Sequence, residues 1–194
     1  MREMKFKNIH EMDIGLTSDR GAFPMITRVV EVWKEEGFLA ALKKRHSKRI
    51  PNHVFIFVRR ENGLLQACEM TARGIRCNSI KDKYFTGKRW KPEIIEVRRF
   101  PEYSNYEVRK KANERLLHHY SMSVTGAQEI EYDWAALLAF LDLAKESTTR
   151  RICSGLVVWE TQFDGVKWDE KNPDSNTPYD IQKEGNSYTV ADLK

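Results

Sequence analysis

Three residues far apart in the chain have the types needed for thiol chemistry: Cys153, His53 and Glu69. Cys153 lies in Thr149-Arg150-Arg151-Ile152-Cys153-Ser154-Gly155-Leu156-Val157-Val158-Trp159-Glu160, where a polar loop runs into a compact apolar segment. Leu156 and Val157, then Trp159 and Glu160, read as successive turns of a short buried helix. Cys153 is therefore expected at or near a helix N-terminus. Free N–H groups and the positive end of the helix dipole favour a thiolate there. That is one way to activate a nucleophilic sulfur. A free cysteine taken alone is more often a small buried hydrophobe, so the chemical reading depends on a base supplied from elsewhere.

His53 is the candidate base. It opens His53-Val54-Phe55-Ile56-Phe57-Val58, a near-continuous β-branched and aromatic run of the kind found in a buried strand. A strand end is a rigid platform at the rim of a core. Glu69 lies in the returning segment Leu64-Leu65-Gln66-Ala67-Cys68-Glu69-Met70. An acid inside an apolar strand needs a partner or a path to solvent. Glu69 would orient the imidazole and stabilise its charged form, as the acid of a Ser-His-Asp triad does.

The turn at Asn62-Gly63 allows two registers. A three-residue loop, Glu61-Asn62-Gly63, pairs position 60 with 64 and makes His53 and Glu69 diagonal neighbours on one face. A two-residue loop turns Glu69 to the other face and offers Gln66 as the orienting group instead.

The elements that must position these residues follow from periodicity. Asp13-Ile14-Gly15-Leu16-Thr17 predicts a first strand. Ile26, Val29, Val30 and Trp33 have amphipathic helical spacing, and Phe38-Leu39-Ala40-Ala41-Leu42 follows. Lys43-Lys44-Arg45-His46-Ser47-Lys48-Arg49 is the dense basic run, read as a solvated helix end or an anion contact. Gly74-Ile75-Arg76 and Ile94-Ile95-Glu96-Val97-Arg98-Arg99-Phe100 predict further strands. Helices are expected from Asn105 to Tyr120 and from Tyr132 to Leu141, with Ser121 to Glu131 as a connection. Thr177-Pro178-Tyr179-Asp180 has the form of a helix start with a capping box. Ser187-Tyr188-Thr189-Val190 predicts a closing strand. One domain over residues 1–194 is expected, with 164–176 an exposed loop and 1–11 and 185–194 peripheral.

The 194 residues suffice for one real core, and 41% hydrophobic with 31% charged is ordinary for a globular chain. A net charge of +5, from 33 basic and 28 acidic residues, reads as a mixed surface rather than a specific nucleic-acid site. No apolar run is long enough to span a bilayer. The first residues carry no apolar signal region, so a cytoplasmic location is expected. Three cysteines, Cys68, Cys77 and Cys153, make no paired framework and match no zinc spacing. His118 and His119 are adjacent on a predicted helix and point in different directions. No metal site is expected.

In order, the chain has His53 on a strand, Glu69 on the next, Tyr132-Asp133-Trp134 opening a helix, Cys153-Ser154 before Leu156-Val157, and Thr177-Pro178-Tyr179-Asp180. This order resembles the circularly permuted papain-like group of the NlpC superfamily, with YiiX-type proteins nearer and lecithin:retinol acyltransferase more distant. The likeness covers residues 12–184. It departs from the family at Gly155, where Cys-Ser-Glu-Leu-Val would be usual, and in a longer His-to-Glu spacing. The resemblance implies an α+β domain, an antiparallel sheet packed against helices, with the Cys helix against the strand of His53. It further implies a cysteine hydrolase, an amidase or peptidase, acting on an amide or related acyl substrate without a cofactor. In it Cys153 is the nucleophile, His53 the base and Glu69 the orienter. Alternatives on the same fold are a lipid thioesterase or acyltransferase, and a non-catalytic binding module. The oligomeric state is not legible.

Overall fold

The computed structural model describes residues 8–18, 29, 32–33, 36–45, 47, 49–71, 73–84, 93–127, 131–132, 150–168 and 176–192. In chain order the elements are β1 (Ile14–Ser18), α1 (Phe38–Lys44), β2 (His53–Arg59), β3 (Leu65–Thr71), β4 (Gly74–Ser79), α2 (Ile80–Tyr84) and β5 (Glu93–Arg99). A 3-10 turn (Pro101–Ser104) leads into α3 (Tyr106–Thr125), β6 (Glu131–Tyr132), β7 (Arg150–Arg151), α4 (Cys153–Gln162), α5 (Pro178–Lys183) and β8 (Tyr188–Asp192). Six strands form an antiparallel sheet in the order β4-β3-β2-β1-β5-β8, and β6 pairs with β7 in a short parallel ladder. This is the α+β class expected, an antiparallel sheet packed against helices.

The sheet is covered on both sides, and β2 lies near its middle. Val54, Ile56 and Val58 pack with Cys68, Met70, Leu116 of α3, and Leu156 and Val157 of α4. Phe55 and Phe57 point the other way and pack with Ala67, Val97, and Ile80 and Tyr84 of α2. All of Val54 to Val58 are fully buried, which is why the segment shows no polar alternation. Gly15 pairs directly with Phe55, and a Cβ on it would lie 2.2 Å from the ring. The missing side chain makes room for the Phe55 ring, which stacks on Tyr84 with centroids 4.9 Å apart.

The β2–β3 hairpin adopts the three-residue loop. Gly63 is left-handed at φ 78, a conformation a β-carbon disfavours. The Arg60 N–H donates to the Leu64 carbonyl at 3.0 Å, and the Gly63 N–H to the Arg60 carbonyl at 2.8 Å. The ladder runs from Arg59 opposite Leu65 to Ile56 opposite Cys68. His53 and Glu69 consequently share a face. Asn113 of α3 clamps the loop end of β2: its Oδ1 accepts from the Arg59 N–H at 2.8 Å and its Nδ2 donates to the Arg59 carbonyl at 2.9 Å.

Helix ends follow local chemistry. The Asn105 side chain caps α3 by accepting from the Glu107 N–H, and left-handed Gly126 stops it. The helix continues through Ser121 to Thr125, where a connection was expected. Ser123 Oγ accepts from the Ile75 N–H at 3.2 Å, which ties this last turn to β4. The Thr177 capping box is complete. Thr177 Oγ1 accepts from the Asp180 N–H at 3.1 Å, and Asp180 Oδ2 accepts from the Thr177 N–H at 2.7 Å.

Other expectations need correction. Tyr132 belongs to β6 rather than to a helix, while 133–141 lie outside the described residues. Arg150–Arg151, read as loop, pair through the backbone with Glu131–Tyr132. The segment from 164 is not simply exposed. Asp164 accepts from Tyr103 and Arg115, and Val166 is buried; 169–175 lie outside the described residues. Near the termini, Ile9 and Glu11 are buried and β8 forms a sheet edge. Of the first predicted helix, residues 29, 32 and 33 are helical, and 26 and 30 lie outside the described residues, as do 46 and 48 of the basic run.

Candidate active site

Cys153 is the first residue of α4 and is buried. Ile152 stands at the N-cap in an extended conformation, and no side-chain hydrogen bond caps that end. The first helical bond runs from the Leu156 N–H to the Ile152 carbonyl at 3.0 Å. The amides of the first turn therefore have no side-chain cap competing for them.

His53 is the first residue of β2, with its side chain about a quarter exposed (25%). Its Nε2 lies 2.6 Å from Glu69 Oε2. The Cys153 thiol lies close enough to the ring to shift its titration. With Nε2 occupied by the carboxylate, Nδ1 is the nitrogen left to serve the sulfur. The structure thus brings together the three residues singled out in the sequence. Gln66 is elsewhere: it pairs with Val58, and its Oε1 accepts from Arg60 Nε at 2.8 Å.

Glu69 is almost completely buried and fully satisfied. Its second oxygen, Oε1, accepts from Asn78 Nδ2 at 2.9 Å and forms an ion pair with Lys83 Nζ. Burial alone would raise the Glu69 pKa. The hydrogen bond and charge of His53, then the Lys83 ammonium, overcome it and lower the value to about 2. Burial alone would lower the His53 pKa. The charge and hydrogen bond of Cys153, then those of Glu69, overcome it and raise the value to about 10. An imidazolium is thus favoured beside the Glu69 carboxylate.

Tyr84 adds a polar group nearby. Burial, then the negative charges of Glu69 and Cys153, push its pKa well up, so it remains a phenol. Among the described residues its Oη has no hydrogen-bond partner, and neither does Ser154 Oγ, both buried.

A structural comparison shows where the fold occurs elsewhere. The metalloprotein YiiX from Escherichia coli O157:H7 superposes with a TM-score of 0.59 at 15% identity, over 95% of this chain and 98% of YiiX. The fold is YiiX-like. No family model and no curated protein matches the chain. On the YiiX-like scaffold the helix that starts at Cys153 crosses the sheet beside β2 and β3, whose residues supply His53 and Glu69.

Sequence reasoning missed Asn78, Lys83 and Tyr84. Asn78 is on β4, whose ladder sets Glu69 opposite Arg76, so Asn78 is a diagonal neighbour on the Glu69 face. Lys83 and Tyr84 belong to α2, a helix of 5 residues that is too short for a periodic signal. The available clue was the buried acid itself, which required more partners than one imidazole.

Proposed function

We propose that this protein is a cysteine hydrolase of the amidase or peptidase type, acting on an amide or related acyl substrate. The observation that carries the reading is the bridge formed by His53, with one side on the buried Glu69 carboxylate and the other beside the Cys153 thiol at a helix start.

In this reading the Cys153 sulfur attacks the substrate carbonyl, forming a C–S bond while the C=O electron pair moves to oxygen. The Cys153 N–H stabilises that oxyanion. Collapse breaks the bond to the leaving group, which takes a proton from the His53 imidazolium. The imidazole then takes a proton from water. The hydroxide attacks the thioester, the C–S bond breaks with its electron pair on sulfur to release the acid, and the proton taken from water leaves His53 as the imidazolium again. Glu69 holds the ring and its charge throughout.

YiiX is called a metalloprotein. The donor set here does not fit a metal ion. Both Glu69 oxygens are occupied by His53, Asn78 and Lys83, which leaves one imidazole nitrogen and one sulfur, short of the three protein ligands of a catalytic zinc. Among the described residues there is no group of three or more His, Cys, Asp or Glu placed to hold one. The thiol reading therefore expects hydrolysis of p-nitrophenyl acetate, used as a generic acyl probe, to persist in a chelator and to leave an acetyl adduct on Cys153 detectable by mass spectrometry. Loss of turnover in chelator, restored by zinc, would overturn it.

A further inference from the structure

Helix α1 presents a strongly apolar face outward. Leu39 is 73% exposed, Phe38 53%, Trp33 47% and Leu42 37%. Trp33 and Phe38 meet edge to face with ring centroids 5.9 Å apart. Phe38 and Leu42 are four apart on the helix and Leu39 flanks them, so the three form one surface. A cluster of this kind on a water-facing helix marks an interaction site.

The helix holds this face out rather than folding it in. Its inner side is anchored: Ala41 packs with Val32 and Ile50, and Tyr179 of α5 packs against this small core. The Tyr179 hydroxyl donates to Glu36 Oε1 at 2.8 Å, and Gln182 Nε2 donates to the Arg49 carbonyl at 3.2 Å. The described basic residues at and just beyond its C-terminal end are Lys43, Lys44, Arg45 and Arg49. Lys44 pairs with Glu36. Lys43, Arg45 and Arg49 are exposed.

We infer that α1 and the described basic residues at its C-terminal end, Lys43, Arg45 and Arg49, are a membrane-docking surface for anionic lipid. Aromatic and leucine side chains enter the headgroup boundary, while lysines and arginines meet lipid phosphates. Charge decides between lipid and a second copy of the chain. A twofold contact through α1 would set these basic residues against their own copies, whereas an anionic leaflet complements them. Among the described residues no helix is long and apolar enough to cross a membrane, so the contact is with the surface. The inference stands apart from the thiol chemistry, because binding is measurable with or without turnover.

The test is cosedimentation of the full chain with phosphatidylcholine vesicles containing about 30% phosphatidylglycerol, enough for a negative surface potential. The wild type is expected to bind and to lose at least about tenfold in affinity at about 1 M salt, where the Debye length is about 3 Å. Each of Lys43→Glu and Arg49→Glu should weaken binding by at least about fivefold. Phe38→Ser/Leu39→Ser/Leu42→Ser should abolish it. Leu39→Ser alone, at the most exposed position, should weaken it and serves as the readout if the triple variant misfolds. No binding by the wild type overturns the inference, as does equal binding by Leu39→Ser. So does a wild-type dimer, by light scattering, that the Leu39→Ser change dissociates, since the face would then be a self-contact.

Discussion

Among the described residues two buried glutamates each hold a histidine, and their surroundings differ in ways that matter. Glu69 gives one oxygen to His53 and the other to Lys83 and Asn78. Glu160, completely buried on α4, gives Oε1 to His119 Nδ1 at 2.6 Å and Oε2 to Arg115 Nε at 3.2 Å. Each pair has a buried tyrosine close by. Tyr103 donates to Asp164 at 2.8 Å, and Asp164 is clamped by both terminal nitrogens of Arg115. Among the described residues Tyr84 has no acceptor.

The contrast extends to what else each imidazole meets. The face of His119 stacks on Trp159 with centroids 4.7 Å apart. His53 meets a thiol. A His–Glu pair is therefore not a sign of chemistry by itself. In the Glu160 cluster the polar groups are fully satisfied, which suits a structural lock between α3 and α4. Around Glu69 the carboxylate is satisfied but, among the described residues, the Tyr84 phenol beside it is not, which suits a site awaiting a ligand.

The largest expected effect separates the pairs outright. Cys153→Ala should lower p-nitrophenyl acetate hydrolysis by at least about 1,000-fold, whereas His119→Gln should leave the rate of the folded protein unchanged. In the wild type, Cys153 should also take up iodoacetamide faster than Cys68 or Cys77, whose sulfurs lie 2.8 Å apart on facing strands. Peptide mapping after brief labelling reads this, and slower labelling of Cys153 would argue against it as nucleophile.

Next in size is Glu69→Gln, expected to cost about 100-fold in turnover. NMR titration of the His53 ring should find its pKa near about 10 in the wild type and about 1–3 units lower in the variant. An unmoved titration would remove Glu69 from the site. The pH dependence of stability follows from the same pair. The His53 pKa lies above its unfolded value, so its contribution is whole below 6.5 and is lost as pH rises toward about 10. The Glu69 pKa lies below its unfolded value, so its contribution is whole above 4.5 and is lost as pH falls toward about 2. Urea unfolding across this range should show the wild type losing its advantage over Glu69→Gln on both sides of a plateau at pH 4.5–6.5.

The second pair should reveal itself in stability alone. Glu160→Ala strips His119 and Arg115 of a buried acceptor and should cost about 2–3 kcal/mol by urea unfolding, with Cys153 labelling unchanged in the folded fraction. A change in labelling would mean that the clusters communicate along α4. The smallest effect is expected at Tyr84→Phe. Removing an unpaired buried hydroxyl should stabilise the free protein by about 1 kcal/mol. A loss of stability would indicate a partner for the phenol and weaken the contrast with Tyr103.

What the sequence reveals of this arrangement depends on how local the cause is. The Cys153 helix, the buried run from Val54 to Val58 and the Thr177 cap are each written in a few adjacent residues. The hairpin is partly local. Asn62-Gly63 allows two loops, and the choice between Glu69 and Gln66 is made only once Gly63 turns left-handed and Arg60 closes on Leu64. Asn78 and Lys83 depend on the β3–β4 register and on a helix of 5 residues, neither of which leaves a periodic trace. The Glu160–His119 contact joins two helices across 41 positions, and no spacing rule reaches that far.

The order of the residues along the chain also has a consequence for biosynthesis. The hairpin bearing His53 and Glu69 leaves the ribosome well before the helix bearing Cys153. At about 5–20 residues per second the interval over the intervening positions is about 4–17 s. In the proposed reading a nascent chain of that length has base and orienter but lacks Cys153, so it is expected to be inert toward acyl groups during most of its synthesis. It is also sticky, because Val54, Ile56 and Val58 await the α4 residues that cover them. Translation that stops short of residue 153 would therefore yield a product without chemical activity that tends to aggregate, and the arrival of one late helix removes both conditions together.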